Sequence, residues 1–364
     1  MPQAMQFVSS LPGRTQGRVS VPPSSSGVPA WMSSLATFTW LEITGTTLNS
    51  AQSGFTSPGG LPRGVVNYSG AAVKKSGSEI FLFGGGHADY AGNEVYTLRL
   101  ANDAPAWVRR RDPTATVASD VDHYADGRPS SRHSSTFMAY DDTRDLFFAY
   151  GGASTWGTGS GTSEKVDAFD PNTNDWVTAG TYAAAPSGYM GGNAPYAACK
   201  DSSGNFWAQR NDSGHLYKWT RGTAAWSDTG TFSTYNYTAP LVHDPVNNRL
   251  LRIDGAGSCY FDISGSPSET AVTFGGASSA QATKGTSPVW CPELGVYLFK
   301  RWDSQTIYQI HPTTFAVTTL SVSGTAPPSD NLSGTYGRFN YCPDLKLVFY
   351  VPNWDTNVWV FRTG

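Results

Sequence analysis

Short apolar stretches separated by polar turns recur along the 364-residue chain, with a period of about fifty residues that is typical of propeller repeats. In the clearest copy, apolar segments at 135–140, 146–150 and 166–170 are followed by Trp176. A unit of four short strands cannot bury both of its faces by itself. Copies must therefore stack, and stacking in a circle closes a ring. The pattern predicts an all-β propeller.

Six copies can be aligned on their second apolar segment, in which aromatic and β-branched residues mark strands. The last copy ends after its third strand, and we predict that residues 37–44, with Trp40, supply its outer strand. Pairing of the two chain ends would remove the open sheet edges. Seven blades is the competing count, because residues 45–62 could contain a further strand. The six second segments lie at 80–83, 146–150, 206–209, 250–253, 296–300 and 347–351.

The chain is predicted to divide into an arm, residues 1–36, and a propeller, residues 37–364. The arm is rich in Ser, Pro and Gly, a composition that buries little surface and favours an extended chain. We expect the arm to lie on a partner, where it would anchor the propeller to a larger protein assembly, or alternatively on the body of the propeller itself. The blades are predicted at about 63–111, 130–180, 187–229, 236–275, 285–322 and 334–364.

The best-preserved copies resemble a known repeat. Arg132 and His133 lead into the first strand, a Gly-Gly doublet ends the second, the third is aromatic, and the fourth contains Trp176. This combination is similar to the kelch repeat, as in the central domain of galactose oxidase. The resemblance is clear over 63–180 and weaker beyond, where the Gly-Gly doublet is missing. Kelch propellers include sugar oxidases, polysaccharide lyases and interaction modules, so the resemblance implies the fold more than any one function.

The composition excludes several classes of partner. Charged residues make up 15% of the chain and the net charge is −3, without a run of Lys or Arg, so we expect no nucleic-acid binding. No long apolar stretch and no secretory signal peptide is present, so we expect no membrane insertion. The low charge and the many Gly, Ser and aromatic residues are typical of surface proteins. We therefore expect a virion, for example a phage tail, or an extracellular surface.

Candidate binding residues collect in two sets of loops. The segments that lead into the first strands and the loops between second and third strands should open on one face of the ring. Aromatic rings beside planar polar side chains suit sugars. Alternatively, the aspartates cap the turns of their own loops and the Arg132-His133 pair serves packing. The predicted ligand-binding residues are Tyr90, Trp156, Asp212, Tyr237, Arg301, Trp302, Arg338 and Trp354.

A catalytic reading uses other residues of the same face. Lyases that cleave uronic-acid polysaccharides need a group that neutralises the carboxylate and a Tyr or His base. The order of His87, His133, Tyr189 and Arg210 along the chain resembles that of propeller lyases of the ulvan-degrading type. The resemblance implies that these four would be catalytic. Zinc-type cysteine spacing is absent, and we predict neither a metal site nor a cofactor.

Three functions therefore stay open. The first hypothesis is a non-enzymatic propeller that recognises a cell-surface glycan, such as a phage receptor-binding component. The alternative is a polysaccharide lyase. A kelch-type protein-interaction scaffold is the third, which the low charge and the long aromatic loops disfavour.

Overall fold

The structure, a computed structural model, describes residues 27–158, 161–186, 188, 197–235, 239–282, 286–329 and 334–364. These residues form six four-stranded antiparallel sheets. Within each sheet the strands follow one another in chain order from the axis outward, except that the last sheet takes its outer strand from the N-terminal part of the chain. The predicted six-bladed, all-β propeller is confirmed.

The strands are numbered in chain order. Blade 1 contains β2 to β5, blade 2 β6 to β9, blade 3 β10 to β13, blade 4 β14 to β17, blade 5 β18 to β21, and blade 6 β22 to β24 with β1. Their bounds are β1 Trp40–Ile43, β2 Ala71–Lys74, β3 Glu79–Leu82, β4 Tyr96–Arg99, β5 Trp107–Arg109, β6 Met138–Asp141, β7 Leu146–Ala149, β8 Asp167–Asp170, β9 Asp175–Trp176, β10 Ala197–Lys200, β11 Phe206–Gln209, β12 His215–Thr220, β13 Ala225–Thr231, β14 Leu241–Asp244, β15 Arg249–Arg252, β16 Cys259–Asp262, β17 Ser268–Ala271, β18 Val289–Cys291, β19 Val296–Lys300, β20 Ile307–Ile310, β21 Val317–Leu320, β22 Phe339–Cys342, β23 Leu347–Tyr350 and β24 Val358–Arg362.

Helical structure among the described residues is limited to short 3₁₀ turns, and none of these helices is long and apolar enough to cross a membrane. The turns are Ala30–Met32, Leu48–Gln52, Pro62–Val66, Gly255–Gly257, Ser279–Gln281 and Tyr336–Arg338.

The ring closes where the two ends of the chain pair. Strand β1 lies antiparallel to β24, with Trp40 opposite Phe361 in the register. Their rings meet edge to face, 4.7 Å between centroids. Residues 45–62, where a seventh blade could have had a strand, contain the 3₁₀ turn Leu48–Gln52 and the first residue of a second turn, but no strand. The predicted closure of the last blade is therefore confirmed.

Aromatic side chains fill the space between neighbouring blades. Phe81 of blade 1 lies 4.9 Å from Tyr140 and 5.4 Å from Phe147 of blade 2, measured between ring centroids. Tyr150 of blade 2 stacks on Phe206 of blade 3 at 4.4 Å. Large rings of this kind supply most of the apolar burial between packed sheets. They make the blades a rigid frame for the connecting loops.

Part of the predicted arm packs on the propeller. The Trp31 indole N–H donates to the carbonyls of Leu100 and Asn102, at 3.2 and 3.0 Å. Met32 and Leu35 are buried in the core that blades 1 and 6 share. Residues 27–36 thus lie against the body, whereas residues 1–26 are outside the described part of the chain.

Candidate functional site

One face of the ring carries the segments that lead into the inner strands and the loops between second and third strands; we call it the loop face. Beneath it, along the axis, runs a cavity of about 460 Å³ lined by inner-strand residues of every blade. Its lining residues Ser287 and Tyr336, at the loop face, are buried, whereas Lys75, Ser202 and Pro245, at the opposite end, are exposed. Among the described residues, the exposed part of the cavity lining therefore lies at the end away from the loop face.

A buried arginine supports the loop face at blade 2. Arg132 is fully buried, and its guanidinium donates to the Asp167 carboxylate at 2.8 Å and to the Ala149 carbonyl at 3.2 Å. His123 contacts the other Asp167 oxygen at 2.8 Å. Burial alone would raise the pKa of Asp167, but the neighbouring Arg132 and His123 hold it below its usual value. Arg132 therefore serves packing, as the alternative interpretation of the sequence proposed, and the next residue, His133, lies above it.

Five side chains from neighbouring loops meet above this arginine; we call them the blade 1–2 cluster. His133 Nε2 lies 3.4 Å from Asp89 Oδ2, and the Asn67 amide donates to Asp89 Oδ1 at 2.9 Å. The ring of Tyr68 stacks on His133, 4.4 Å between centroids, and the ring of His87 meets His133 edge to face at 5.9 Å. The cluster thus combines an acidic, an amide, a phenol and two imidazole groups.

Exposure to solvent increases across the cluster from His133 to His87. His133 is buried, Asn67, Tyr68 and Asp89 are half-buried, and His87 is exposed. Burial is the largest single influence on the pKa of Asp89, and it raises that pKa. Hydrogen bonds from His133 and Asn67 and the charges of both histidines together outweigh burial, so the pKa lies below its usual value. Asp89 is therefore a carboxylate at neutral pH, placed where a solvent-borne ligand can reach it.

The glycines before His87 allow two blades to approach. Gly86 has a φ of +70°, and a Cβ at that position would lie 2.3 Å from the Ser154 carbonyl oxygen and 2.5 Å from the Cα of Arg132. Only glycine fits such a contact. The following residue, His87, has a φ of +46°, and its N–H donates to the Ser154 carbonyl at 2.7 Å. A left-handed φ is unfavourable for a residue other than glycine, so tertiary contacts hold His87 in place.

Two residues expected among the ligand-binding side chains are instead enclosed, and the first is Tyr90. It is fully buried, and its hydroxyl donates to Glu94 at 2.7 Å, as does the hydroxyl of Tyr96 at 2.8 Å. Burial raises the pKa of Glu94, which favours its neutral form. Tyr90 therefore holds the loop from inside, because its hydroxyl is needed by a buried carboxyl group.

The second enclosed residue is Arg338. It is fully buried, and its guanidinium donates to the backbone carbonyls of Ser69, Val351, Pro352 and Gly334 at 2.7 to 3.0 Å. Ser69 belongs to the lead-in segment of blade 1. Arg338 thus joins blades 6 and 1, and in this position it does not reach a ligand on the surface.

Two further predicted arginines pair with an aspartate of their own loop. Arg210 of blade 3 donates to both carboxylate oxygens of Asp212, at 2.5 and 2.9 Å. Arg301 of blade 5 does the same with Asp303, at 2.8 and 2.6 Å. Hydrogen bonds from Arg210 hold the pKa of Asp212 below its usual value. These groups lie at the surface, but each charge already has its counter-charge.

The predicted aromatic residues are separated. Trp156 is half-buried beside the cluster: its backbone N–H donates to the Ser131 carbonyl at 2.9 Å, and the backbone N–H of Gly157 donates to the His87 carbonyl at 2.9 Å. Trp302 is 36% exposed in blade 5. Trp354 packs against the core shared by blades 1 and 6. Tyr189 and Tyr237 lie outside the described residues.

Of the predicted residues, the structure brings together His87 and His133, with Trp156 beside them. The predicted ligand-binding and catalytic residues did not include Asp89, Tyr68 or Asn67, although Asp89 and Tyr68 lie in the two sets of loops expected on this face. Asp89 stands two positions after His87, in a segment already recognised as part of the loop face, and this spacing was the available signal. Asn67 gave none, because asparagine is common in any turn.

Comparisons with known proteins support the fold. No protein-family model matches the chain, and no curated protein matches it. The solved structure of YjhT superposes with a TM-score of 0.54 at 14% identity, covering 82% of this chain and 95% of that one. A streptogramin B lyase structure gives a TM-score of 0.44 at 10% identity, with coverages of 84% and 86%. At such identities the likeness to YjhT shows the fold alone: the protein is a six-bladed β-propeller.

Proposed function

We propose that this propeller recognises a carbohydrate at the blade 1–2 cluster and is displayed on a virion, for example as a phage receptor-binding component, or on an extracellular surface. The observation that carries the proposal is the convergence of Asn67, Tyr68, His87, Asp89 and His133 from neighbouring loops at a solvent-facing position. Carboxylate, amide and imidazole groups exchange hydrogen bonds with vicinal hydroxyls, and aromatic rings pack on the C–H faces of sugars. The half-buried Trp156 extends this surface.

Surface display is supported by composition and by the proposed arm. Charged residues make up 15% of the chain, against about 25% in ordinary domains. Because residues 27–36 pack on the propeller, we assign the anchoring role to residues 1–26. A chain lacking residues 1–26 should keep its melting temperature but lose attachment to its natural assembly. Full attachment of the truncated chain would contradict the anchoring role.

The lyase remains a second candidate because His87 and His133 are adjacent, with 5.9 Å between ring centroids. One imidazole could act as the base, while a cationic group or a hydrogen-bond donor neutralises the substrate carboxylate. The proposed Arg210 is bound to Asp212, and Tyr189 lies outside the described residues. This candidate therefore rests on the histidine pair.

A glycan array of bacterial surface polysaccharides tests recognition. Asp89→Ala should abolish the signal or reduce it by about tenfold, since a charged hydrogen bond contributes about 1.5–3 kcal/mol. The matched control is Asp303→Ala, which removes an exposed loop aspartate of blade 5 and should leave binding unchanged. Equal binding by both variants and the wild type would refute the site.

The same preparations separate binding from cleavage. Incubation with uronic-acid polysaccharides, followed by ultraviolet absorbance of the unsaturated product, reports β-elimination. Activity that disappears in both His133→Ala and Tyr189→Phe would replace the recognition proposal by the lyase. Binding of a protein partner that is unaffected by Asp89→Ala would favour the interaction scaffold.

A further inference from the structure

The separation of His133 from Asp89 has a specific chemical meaning. The Nε2 to Oδ2 distance is 3.4 Å, which is long for a hydrogen bond to a carboxylate, whose usual range is about 2.7–2.9 Å. Two ligands on one tetrahedral zinc-type ion, each at about 2.0–2.1 Å, lie roughly 3.3 Å apart. The pair therefore has the spacing of two atoms that share a cation.

His87 supplies a third donor. One ligand atom from each of His87, Asp89 and His133 can be chosen so that all three lie within 4.8 Å of one another. The three residues come from two different blades, and the third, His87, is the exposed member of the group. Within the described residues, this group of three is what the structure offers for a metal ion.

The surroundings hold the donors in the orientation that coordination requires. The Asn67 amide binds Asp89 Oδ1 at 2.9 Å, so that Oδ2 is the oxygen directed at His133. Tyr68 stacks on the His133 ring and fixes its plane. Partners of this kind, which orient ligands without touching the ion, are a regular part of metal sites.

The backbone holds His87 in the same way. Its left-handed φ of +46° is maintained by two hydrogen bonds to blade 2, from its N–H to the Ser154 carbonyl at 2.7 Å and from the Gly157 N–H to its carbonyl at 2.9 Å. An unfavourable conformation that contacts from another blade maintain is typical of functional positions. Here it keeps the imidazole facing His133.

We propose that His87, Asp89 and His133 bind one divalent transition-metal cation of the zinc type. Two imidazole nitrogens and one carboxylate oxygen suit such an ion better than calcium or magnesium, which prefer oxygen ligands. Since His133 is buried and His87 exposed, the fourth coordination position faces solvent and is free for water or for an exchangeable oxygen ligand. This site was not predicted from the sequence, because it contains no cysteine and zinc-type cysteine spacing is therefore no guide to it.

The direct test is cobalt binding to the full chain. The protein is prepared without a histidine tag, stripped with a chelator, and titrated with Co²⁺ while visible d–d absorption is recorded. We expect saturation at one ion per chain and displacement by Zn²⁺. His87→Gln and Asp89→Asn should each weaken Co²⁺ binding by more than about tenfold, since each removes a direct ligand. Asn67→Ala should weaken it by about tenfold through loss of ligand orientation.

His215→Gln is the matched control. His215 also faces an aspartate, Asp228, but at an ordinary hydrogen-bond distance of 2.7 Å and at the surface, so its loss should leave cobalt binding unchanged. Because His87 is exposed, His87→Gln is expected to keep the melting temperature of the metal-free protein, which separates ligand loss from misfolding. The proposal is overturned if the wild type binds no stoichiometric cobalt, or if His87→Gln and Asp89→Asn bind it as the wild type does. Since no glycan is present, the result is independent of the proposed carbohydrate recognition.

Discussion

The loops of blades 1 and 2 and the loops of blades 3 and 5 contain the same kinds of side chain but use them differently. In blades 3 and 5 the arginine between the second and third strands binds the aspartate two positions later, as Arg301 binds Asp303. In blades 1 and 2 the polar groups are matched across loops, and the hydrogen bond between His133 and Asp89 is long, at 3.4 Å. Charged residues on a loop therefore do not by themselves mark a site. A better indication of a site is a set of polar groups from separate segments that face one another at a solvent-accessible position.

The largest expected effect concerns the support beneath the cluster. Arg132→Met should lower the free energy of unfolding by about 3–5 kcal/mol, because it leaves the Asp167 carboxylate buried with only His123 beside it. Arg301→Met, in the locally paired loop, should cost no more than about 1 kcal/mol. Thermal denaturation of both variants measures the difference. Equal melting temperatures would show that the two regions do not differ as described.

The close approach of the two blades gives the second prediction. Gly86→Ala combines a left-handed φ with a clash against Ser154 and Arg132, so we expect a loss of about 3 kcal/mol in unfolding free energy. Gly127→Ala shares the left-handed φ, at +80°, but nothing lies within 4 Å of the added Cβ. Its cost should be about 1–2 kcal/mol. Chemical denaturation distinguishes the two, and a Gly127 variant as unstable as the Gly86 variant would contradict the contact.

Acidification provides a third, smaller contrast. The folded-state pKa of Asp167 is below the ordinary value of 3.8, so its charge stabilises the fold above that value and the stabilisation is lost as the pH falls through the folded pKa. Asp167→Asn should therefore show a flatter decline in unfolding free energy between neutral pH and pH values below about 3.8. Asp303→Asn should follow the wild type closely, since its pair with Arg301 is screened by solvent. If the unfolding free energy of Asp167→Asn declined with falling pH as steeply as that of the wild type, the proposed role of the buried Arg132–Asp167 pair would be contradicted.

The smallest effect should come from the local pairs themselves. A double-mutant cycle of Arg301→Ala and Asp303→Ala is expected to give a coupling of about 0.2–1 kcal/mol that decreases with added salt. A coupling of several kcal/mol that does not change with salt would show that the ion pairs in these loops contribute as much stability as the buried pair of blade 2.

The sequence predicted the ring well because its strands carry their own signals. The second strand of blade 3 was predicted at 206–209 and is Phe206–Gln209, and the tryptophan at position 40 identified the strand that closes blade 6. These are patterns of apolar and aromatic residues, which the sequence displays directly.

The site was harder to predict because the type of a loop residue does not determine the direction in which its side chain points. Arg338 and Arg301 look alike in sequence, but the acceptors of Arg338 are backbone carbonyls, which every residue has and no pattern reveals. Tyr90 and Tyr68 differ in the same way, since one is held inside by Glu94 and the other lies beside His133. The packing of residues 27–36 on the propeller could be stated only as one of two alternatives, because a Ser- and Pro-rich segment gives little sign of where it is buried.

The pairing of β1 with β24 also constrains how the protein is made. On the ribosome, residues 40–43 emerge early, but their partner at 358–362 is synthesised only after the five intervening blades. Until then β1 exposes an unpaired edge and an unburied indole, features that invite association with other nascent chains. We therefore expect the last blade to be completed late in folding, because it joins strands from the two ends of the chain and contacts between distant residues form slowly.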